Sequence, residues 1–74
     1  MNVQSGVVTL DWRAARRDSY ERTAALHRRA ARAHEVAAQL SDRVGRKIAA
    51  DVHRALAAER HAQAADVQRL MQRL

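Results

Sequence analysis

Large aliphatic residues recur at every fourth position through the middle of this chain. The row consists of Leu40, Val44, Ile48, Val52 and Leu56. Because an α-helix turns by about 100° per residue, each step moves the row about 40° around the helix, and the whole row sweeps about 160°. One straight helix would carry these side chains away from any single partner. The spacing therefore favours a break that gives Leu40 to one helix and Ile48 to the next.

The residues between these two positions include types that interrupt helices. Ser41 and Asp42 are common N-cap residues, and Gly45 can adopt the left-handed conformation that ends a helix. We therefore predict an all-α fold, an antiparallel two-helix hairpin with its turn within residues 41–46. The alternative is one long continuous helix in a coiled coil, since the chain contains no proline.

The first residues of the chain differ in composition from the rest. Residues 1–9 carry no charged side chain and include three valines, so we expect an extended or mobile N-terminal tail. The helical pattern begins at Leu10 and continues to the end, which makes residues 10–74 the hairpin. Thr9 is a plausible N-cap, and Asp11 would interact favourably with the positive end of the helix dipole.

The contact between the two helices can be predicted from steps of three and four residues. The predicted seam, expected to form the core or an oligomer contact, comprises Leu26, Ala30, Ala33, Ala37 and Leu40 on the first helix and Ile48, Val52, Leu56, Val67, Leu70 and Leu74 on the second. Residue numbers that face each other should sum to about 86, which is our own fit to the pattern. Ala30 then faces Leu56, and small side chains meet large ones, as close packing requires.

The same pairing predicts a polar layer inside the seam. Thr23 would face Gln63, and His27 would face Glu59. A polar layer costs stability but fixes the register and the choice of partner. We interpret these four residues as a structural layer, and the functional alternative is a proton-sensing pair or a binding site.

The length of the chain favours self-association. A chain of 74 residues buries too little surface to be more than marginally stable alone, and the absence of cysteine excludes disulfide bonds. We expect a homo-oligomer, most simply a dimeric four-helix bundle. The lack of cysteine is compatible with a reducing compartment, and the N-terminus does not resemble a signal peptide, so we expect a cytoplasmic location.

The formal net charge of +6 raises the possibility of an acidic partner such as nucleic acid. The candidate contacts are Arg28, Arg29, Arg32, Arg43, Arg46 and Lys47. These residues are spread over several sides of the helices, and some have acidic neighbours at helical spacing, such as Asp42 with Arg46. We favour a solvated, ion-paired surface over a nucleic-acid footprint.

Motifs for catalysis or cofactor binding are not found in this sequence. It contains no glycine-rich phosphate loop and no nucleophile elbow, and its four histidines are not spaced as metal-binding pairs on one helix. Its apolar runs are too short to span a bilayer. We therefore expect no enzymatic activity, cofactor, metal or membrane partner. The predicted function is a small interaction or assembly module that binds itself and another protein, and the alternative is a basic nucleic-acid-associated regulator.

Overall fold

The computed structural model describes residues 11–74, and the predicted tail of residues 1–9 lies outside the described residues. Helix α1 runs from Trp12 to Arg43 and helix α2 from Lys47 to Gln72. The two helices pack side by side in opposite directions. The predicted helical hairpin is confirmed, and the alternative of one continuous helix is wrong.

The turn between the helices is built around Gly45, whose φ of 76° is left-handed. The N–H of Gly45 donates to the carbonyl of Asp42 (3.1 Å), and the N–H of Arg46 donates to the carbonyl of Ser41 (2.8 Å). These two hydrogen bonds form a Schellman motif, which satisfies carbonyls that the end of α1 leaves free. Ser41 and Asp42 therefore lie in the last turn of α1 and are not N-caps of α2, which begins after Arg46 with no side-chain cap.

Alanine forms the core of the hairpin. Within residues 11–74, the buried side chains are Ala24, Ala31, Ala38, Ala50, Ala57 and Ala64. Each helix contributes three of them at seven-residue intervals, which keeps them on one side of a helix. Ala31 and Ala50 are both 0% exposed. Because a methyl group is the largest side chain that these positions hold, the helices can approach at the short end of the usual 8–10 Å range.

The predicted seam is wrong as a description of this internal core. On α1 the buried alanines each lie one residue after a predicted seam position, and Leu26 remains 62% exposed. On α2, the buried Ala57 follows the predicted Leu56 by one residue and the buried Ala50 follows the predicted Ile48 by two, and Ile48 is 82% exposed. The remaining predicted seam residues that the structure leaves exposed are Ala33, Leu40, Val52, Leu56 and Leu70. The prediction placed the bulkiest side chains inside, whereas closely spaced backbones admit only small ones.

The other predicted seam residues are partly buried. Ala30 and Ala37 flank the alanine core, and Val67 and Leu74 lie near the open end of the hairpin. Two cross-helix contacts, His34 with His53 and His27 with Arg60, give residue numbers that sum to 87. The observed sum of 87 differs by one residue from the predicted sum of about 86. A one-residue change in which side chain faces the partner helix rotates that helix by about 100° and exchanges one face for another.

Candidate interaction surface

One broad side of the hairpin is polar and carries ion pairs. Arg54 on α2 donates to Asp42 at the end of α1 (Nη1···Oδ2 2.8 Å) and to Asp51 (Nη2···Oδ1 2.7 Å). Nearby, His61 Nε2 lies 3.5 Å from Glu35 Oε2 on the other helix. The hydrogen bond from Arg54 holds the pKa of Asp51 below its ordinary value, and the hydrogen bonds to Asp42 and Asp51 raise the pKa of Arg54. The predicted pairing of Asp42 with Arg46 is replaced by the contact with Arg54.

These contacts show how the two helices are oriented. Asp42 follows the buried Ala38 by four positions, and Arg54 follows the buried Ala50 by four. Positions four residues after a buried alanine therefore share one side of the hairpin. Measured from the buried alanine, a position four residues later is rotated by about 40° towards the ion-paired side. A position one residue earlier is rotated by about 100° in the opposite direction, and a position two residues later by about 160° in that direction, so both lie on the side away from the ion pairs.

That opposite side is apolar over the half of the hairpin nearest the turn. We call it the aliphatic face, and it comprises Leu26, Ala30, Ala33, Ala37, Leu40, Ala49, Val52 and Leu56. None of these eight residues is charged. Within the hairpin, Leu40 is 54% exposed and Val52 is 51% exposed. The residues predicted as an internal seam thus form most of an external face, roughly a quarter turn away from the contact between the helices.

A row of polar side chains lies between the alanine core and the aliphatic face. These residues follow a buried alanine by three positions. The Nδ1 atoms of His34 and His53 are 3.0 Å apart, and their ring centroids are separated by 5.3 Å. One layer towards the open end, Arg60 Nη1 lies 3.0 Å from His27 Nδ1. Because a guanidinium has only donors, His27 accepts this hydrogen bond and carries its own ring proton on Nε2.

The predicted polar layer is only partly formed. His27 contacts Arg60 and not Glu59, which is exposed. The Thr23 hydroxyl donates to the carbonyl of Ser19 in its own helix (2.9 Å). Gln63 is half-buried, and among residues 11–74 its Oε1 atom has no hydrogen-bond partner. The one-residue change in register explains why Glu59 lies outside the contact.

The arginines predicted as nucleic-acid contacts do not form one cluster. Arg29 and Arg32 line a shallow cleft on the outer side of α1, together with Arg22, Ala25 and Leu26. The other predicted basic contacts are exposed elsewhere on α1 and around the turn. They are Arg28, Arg43, Arg46 and Lys47. Arg22 was not among the predicted contacts, and within residues 11–74 it forms no salt bridge.

The His34–His53 contact was also missed at the sequence level, because the predicted register placed His34 opposite Val52. A usable signal was present, since each histidine follows an alanine of the seven-residue repeat by three positions, Ala31 in one case and Ala50 in the other. Over residues 11–74, no three histidine or acidic side chains are grouped in a way that could hold a metal ion. Neither α1 nor α2 has the length and apolarity needed to cross a membrane.

No protein-family model, curated protein or solved structure matches this chain. Its function is therefore inferred from the two faces of the hairpin.

Proposed function

We propose that this chain is a small, non-enzymatic assembly module that dimerises through its aliphatic face as a four-helix bundle. Its remaining helical surface is then available to a further protein partner. The observation that carries the proposal is the exposure of Leu26, Leu40, Val52 and Leu56 together on one face, while the buried core of the hairpin consists of alanine. The bulkiest apolar groups contribute little to the stability of a single hairpin.

The energetic argument compares the two kinds of side chain. Burial of one methyl group contributes about 0.8 kcal/mol, whereas full burial of a leucine or valine side chain contributes about 1.5–3 kcal/mol. In the hairpin alone, six alanine methyl groups are buried, whereas the large aliphatic side chains of the face remain mostly exposed to solvent and contribute little burial energy. Packing a second apolar surface on Leu26, Leu40, Val52 and Leu56 recovers this energy.

The size of the face is consistent with an interface. The distance along the helix from Leu26 to Leu40 is about 21 Å, and two adjacent helices are about 20 Å wide, so the face covers about 400 Å². Contiguous apolar patches of this size are often functional. The aliphatic face alone supplies about half of the roughly 800 Å² per partner that a stable interface buries. Thr23, Gln63 and Leu70 lie on the same side towards the open end and would add to the contact area.

A second copy of this chain is the partner that best fits the face. Each chain has a net charge of +6, so two copies repel each other wherever their arginines meet. The eight residues of the aliphatic face carry no charge, and this allows two copies to pack there without opposing cations. An antiparallel hairpin also supplies half of a four-helix bundle, and short chains commonly gain stability by association.

Two substitutions on α2 test the proposal. Leu56→Glu places a charge on the aliphatic face, and Ala58→Glu places the same charge two residues away on the ion-paired side. Size-exclusion chromatography with light scattering should give twice the 8.3 kDa chain mass for the unmodified protein and for Ala58→Glu. Leu56→Glu should reduce the mass to that of one chain and lower the helix content, because folding and association are coupled.

High salt provides a further control, since association through apolar side chains should not weaken when the salt concentration rises. An unmodified protein that is a folded monomer at micromolar concentration would overturn the proposal. A dimer that persists in Leu56→Glu but dissociates in Ala58→Glu would show that the interface lies on the ion-paired side, and this would also overturn the proposal.

Nucleic-acid binding is the second candidate function, and the cleft lined by Arg22, Arg29 and Arg32 supports it. Three guanidinium groups within three helical turns could contact successive phosphates. Fluorescence anisotropy with a labelled duplex at low and high salt tests this candidate. Binding should fall steeply with salt, and Arg29→Gln should weaken it, while Arg69→Gln on the other helix should not. Equal effects of the two substitutions, or no binding at low salt, would exclude this cleft.

A further inference from the structure

His34 and His53 form a pair of facing imidazoles at the contact between the helices. Their Nδ1 atoms are 3.0 Å apart, and the rings are tilted by 32°. In a tetrahedral zinc site with Zn–N distances of about 2.0–2.1 Å, two ligand nitrogens lie about 3.4 Å apart. The Nδ1···Nδ1 distance would have to increase by only a few tenths of an ångström to match the spacing of two ligands on one ion. Without an ion, one Nδ1 must donate a hydrogen bond to the other.

Within residues 11–74, the surroundings of the pair supply no other metal ligand from the same chain. The next polar layer, His27 with Arg60, is seven residues away, or about 10 Å along the helix. The carboxylate of Glu35 lies on the ion-paired side, where it contacts His61. One hairpin therefore offers two imidazole nitrogens at this position and leaves half of a tetrahedral set to be filled.

The pair lies near the centre of the aliphatic face. On α1 the face extends from Leu26 to Leu40, on both sides of His34, and on α2 it extends from Ala49 to Leu56, on both sides of His53. Both histidines lie on the side of the alanine core that adjoins this face, and both are half-buried. A two-fold axis through the centre of the face therefore brings the histidine pair of a second copy opposite the first.

We infer that these two pairs form a transition-metal site at the dimer interface, with His34 and His53 of each copy as its four ligands. This inference rests on the proposed self-association, because the second pair comes from the partner copy. Imidazole nitrogen suits Zn²⁺, Cu²⁺, Ni²⁺ and Co²⁺, whereas Mg²⁺ and Ca²⁺ require oxygen ligands. A closed tetrahedral set of four nitrogens fits Zn²⁺ best among them. Bound metal stabilises the dimer because the separate chains lack the complete site.

Isothermal titration of the full chain with Zn²⁺ measures the stoichiometry directly. We expect one ion for every two chains, and thermal melts should show a higher Tm with Zn²⁺ that a chelator reverses. Co²⁺ as a second probe should give the intense visible absorption of a tetrahedral site. His34→Gln and His53→Gln should each weaken Zn²⁺ binding at least about tenfold. His61→Gln, which removes a histidine from the ion-paired side, should leave the affinity unchanged.

Light scattering of the same samples separates this inference from the proposed function. A dimer that binds no Zn²⁺, or whose binding is unchanged in both His34→Gln and His53→Gln, would overturn the metal site and leave self-association standing. A monomer in the absence and presence of Zn²⁺ would overturn both. One Zn²⁺ bound per chain would show that the ligands are not shared between copies, which also overturns the inference.

Discussion

Arg54 in α2 lies 2.8 Å from Asp42 in the last turn of α1, and this contact crosses the hairpin next to its turn. The same guanidinium contacts Asp51 one helical turn earlier in α2. The carboxylates of Asp42 and Asp51 thus share the guanidinium of Arg54. All three side chains are about half exposed, so the contact orients the helix ends more than it stabilises them.

Acidification should weaken this cluster in a defined pH range. The pKa of Asp51 is lowered from 3.8 by the hydrogen bond from Arg54. A lowered folded-state pKa contributes stability above the unfolded value, and this contribution is lost as the pH falls through the folded value. Thermal melts at about pH 5 and about pH 2.5 should therefore show a smaller acid-induced decrease in Tm for Asp51→Asn than for the unmodified protein. Asp18→Asn, at an exposed position on α1, serves as the control and should retain the full decrease.

Replacing the turn glycine should destabilise the hairpin through the backbone alone. Gly45 has a φ of 76°, and no atom lies within 4 Å of the position that a Cβ would occupy. Gly45→Ala should therefore cost about 1–2 kcal/mol, the penalty for a left-handed residue with a side chain. Gly45→Asn should cost less, because asparagine tolerates this conformation better. Equal stability of Gly45→Ala and the unmodified protein in urea denaturation would contradict the turn geometry.

Enlarging a core alanine should be far more damaging than enlarging an exposed one. Ala31 is 0% exposed, so Ala31→Leu must push the helices apart and should cost about 1–3 kcal/mol or more. Ala25→Leu makes the same change at an exposed position of α1 and should alter the free energy of unfolding by less than about 0.5 kcal/mol. Denaturation followed by circular dichroism measures both. Similar effects of the two substitutions would show that alanine does not set the helix spacing.

Removing an unpaired polar group should stabilise the protein. Among the described residues, Gln63 Oε1 is buried without a hydrogen-bond donor, and such an atom costs about 1–3 kcal/mol. Gln63→Met has a similar shape and lacks the amide, so it should raise the free energy of unfolding by about 1 kcal/mol. Gln68→Met is the matched control at an exposed position and should have little effect. A destabilised Gln63→Met protein would indicate that the amide has a partner after all.

The sequence predicts the hairpin well because its signals are local. The drift of the row from Leu40 to Leu56 requires a break, and Gly45 is the residue that permits one. The face that packs inside is harder to predict, because two criteria conflict. Hydrophobicity favours Leu26 and Val52, whereas close approach of two backbones favours Ala31 and its equivalents.

The candidate contacts depend on this choice of face. A register one residue away exchanges the predicted pair His27–Glu59 for His27–Arg60, and it brings His53 rather than Val52 opposite His34. The seven-residue repeat alone does not distinguish these alternatives, because both preserve it. The position of each histidine three residues after an alanine of the repeat favours the observed contact only once alanine is known to form the core. The distance between the helices decides between them, and only the packed structure supplies it.

Pulsed electron-spin measurement of distances between copies tests the central claim, dimerisation through the aliphatic face, most directly. Because the chain has no cysteine, a single cysteine introduced at Ala33 or at Ala58 carries one label, and any dipolar coupling arises between chains. Ala33 lies at the edge of the aliphatic face, so its labels should be within about 25 Å, whereas labels at Ala58 should be more than about 30 Å apart across two helical layers. Dilution with unlabelled protein should remove both couplings. Labels closer together at Ala58 than at Ala33, or no coupling at Ala33, would contradict the claim.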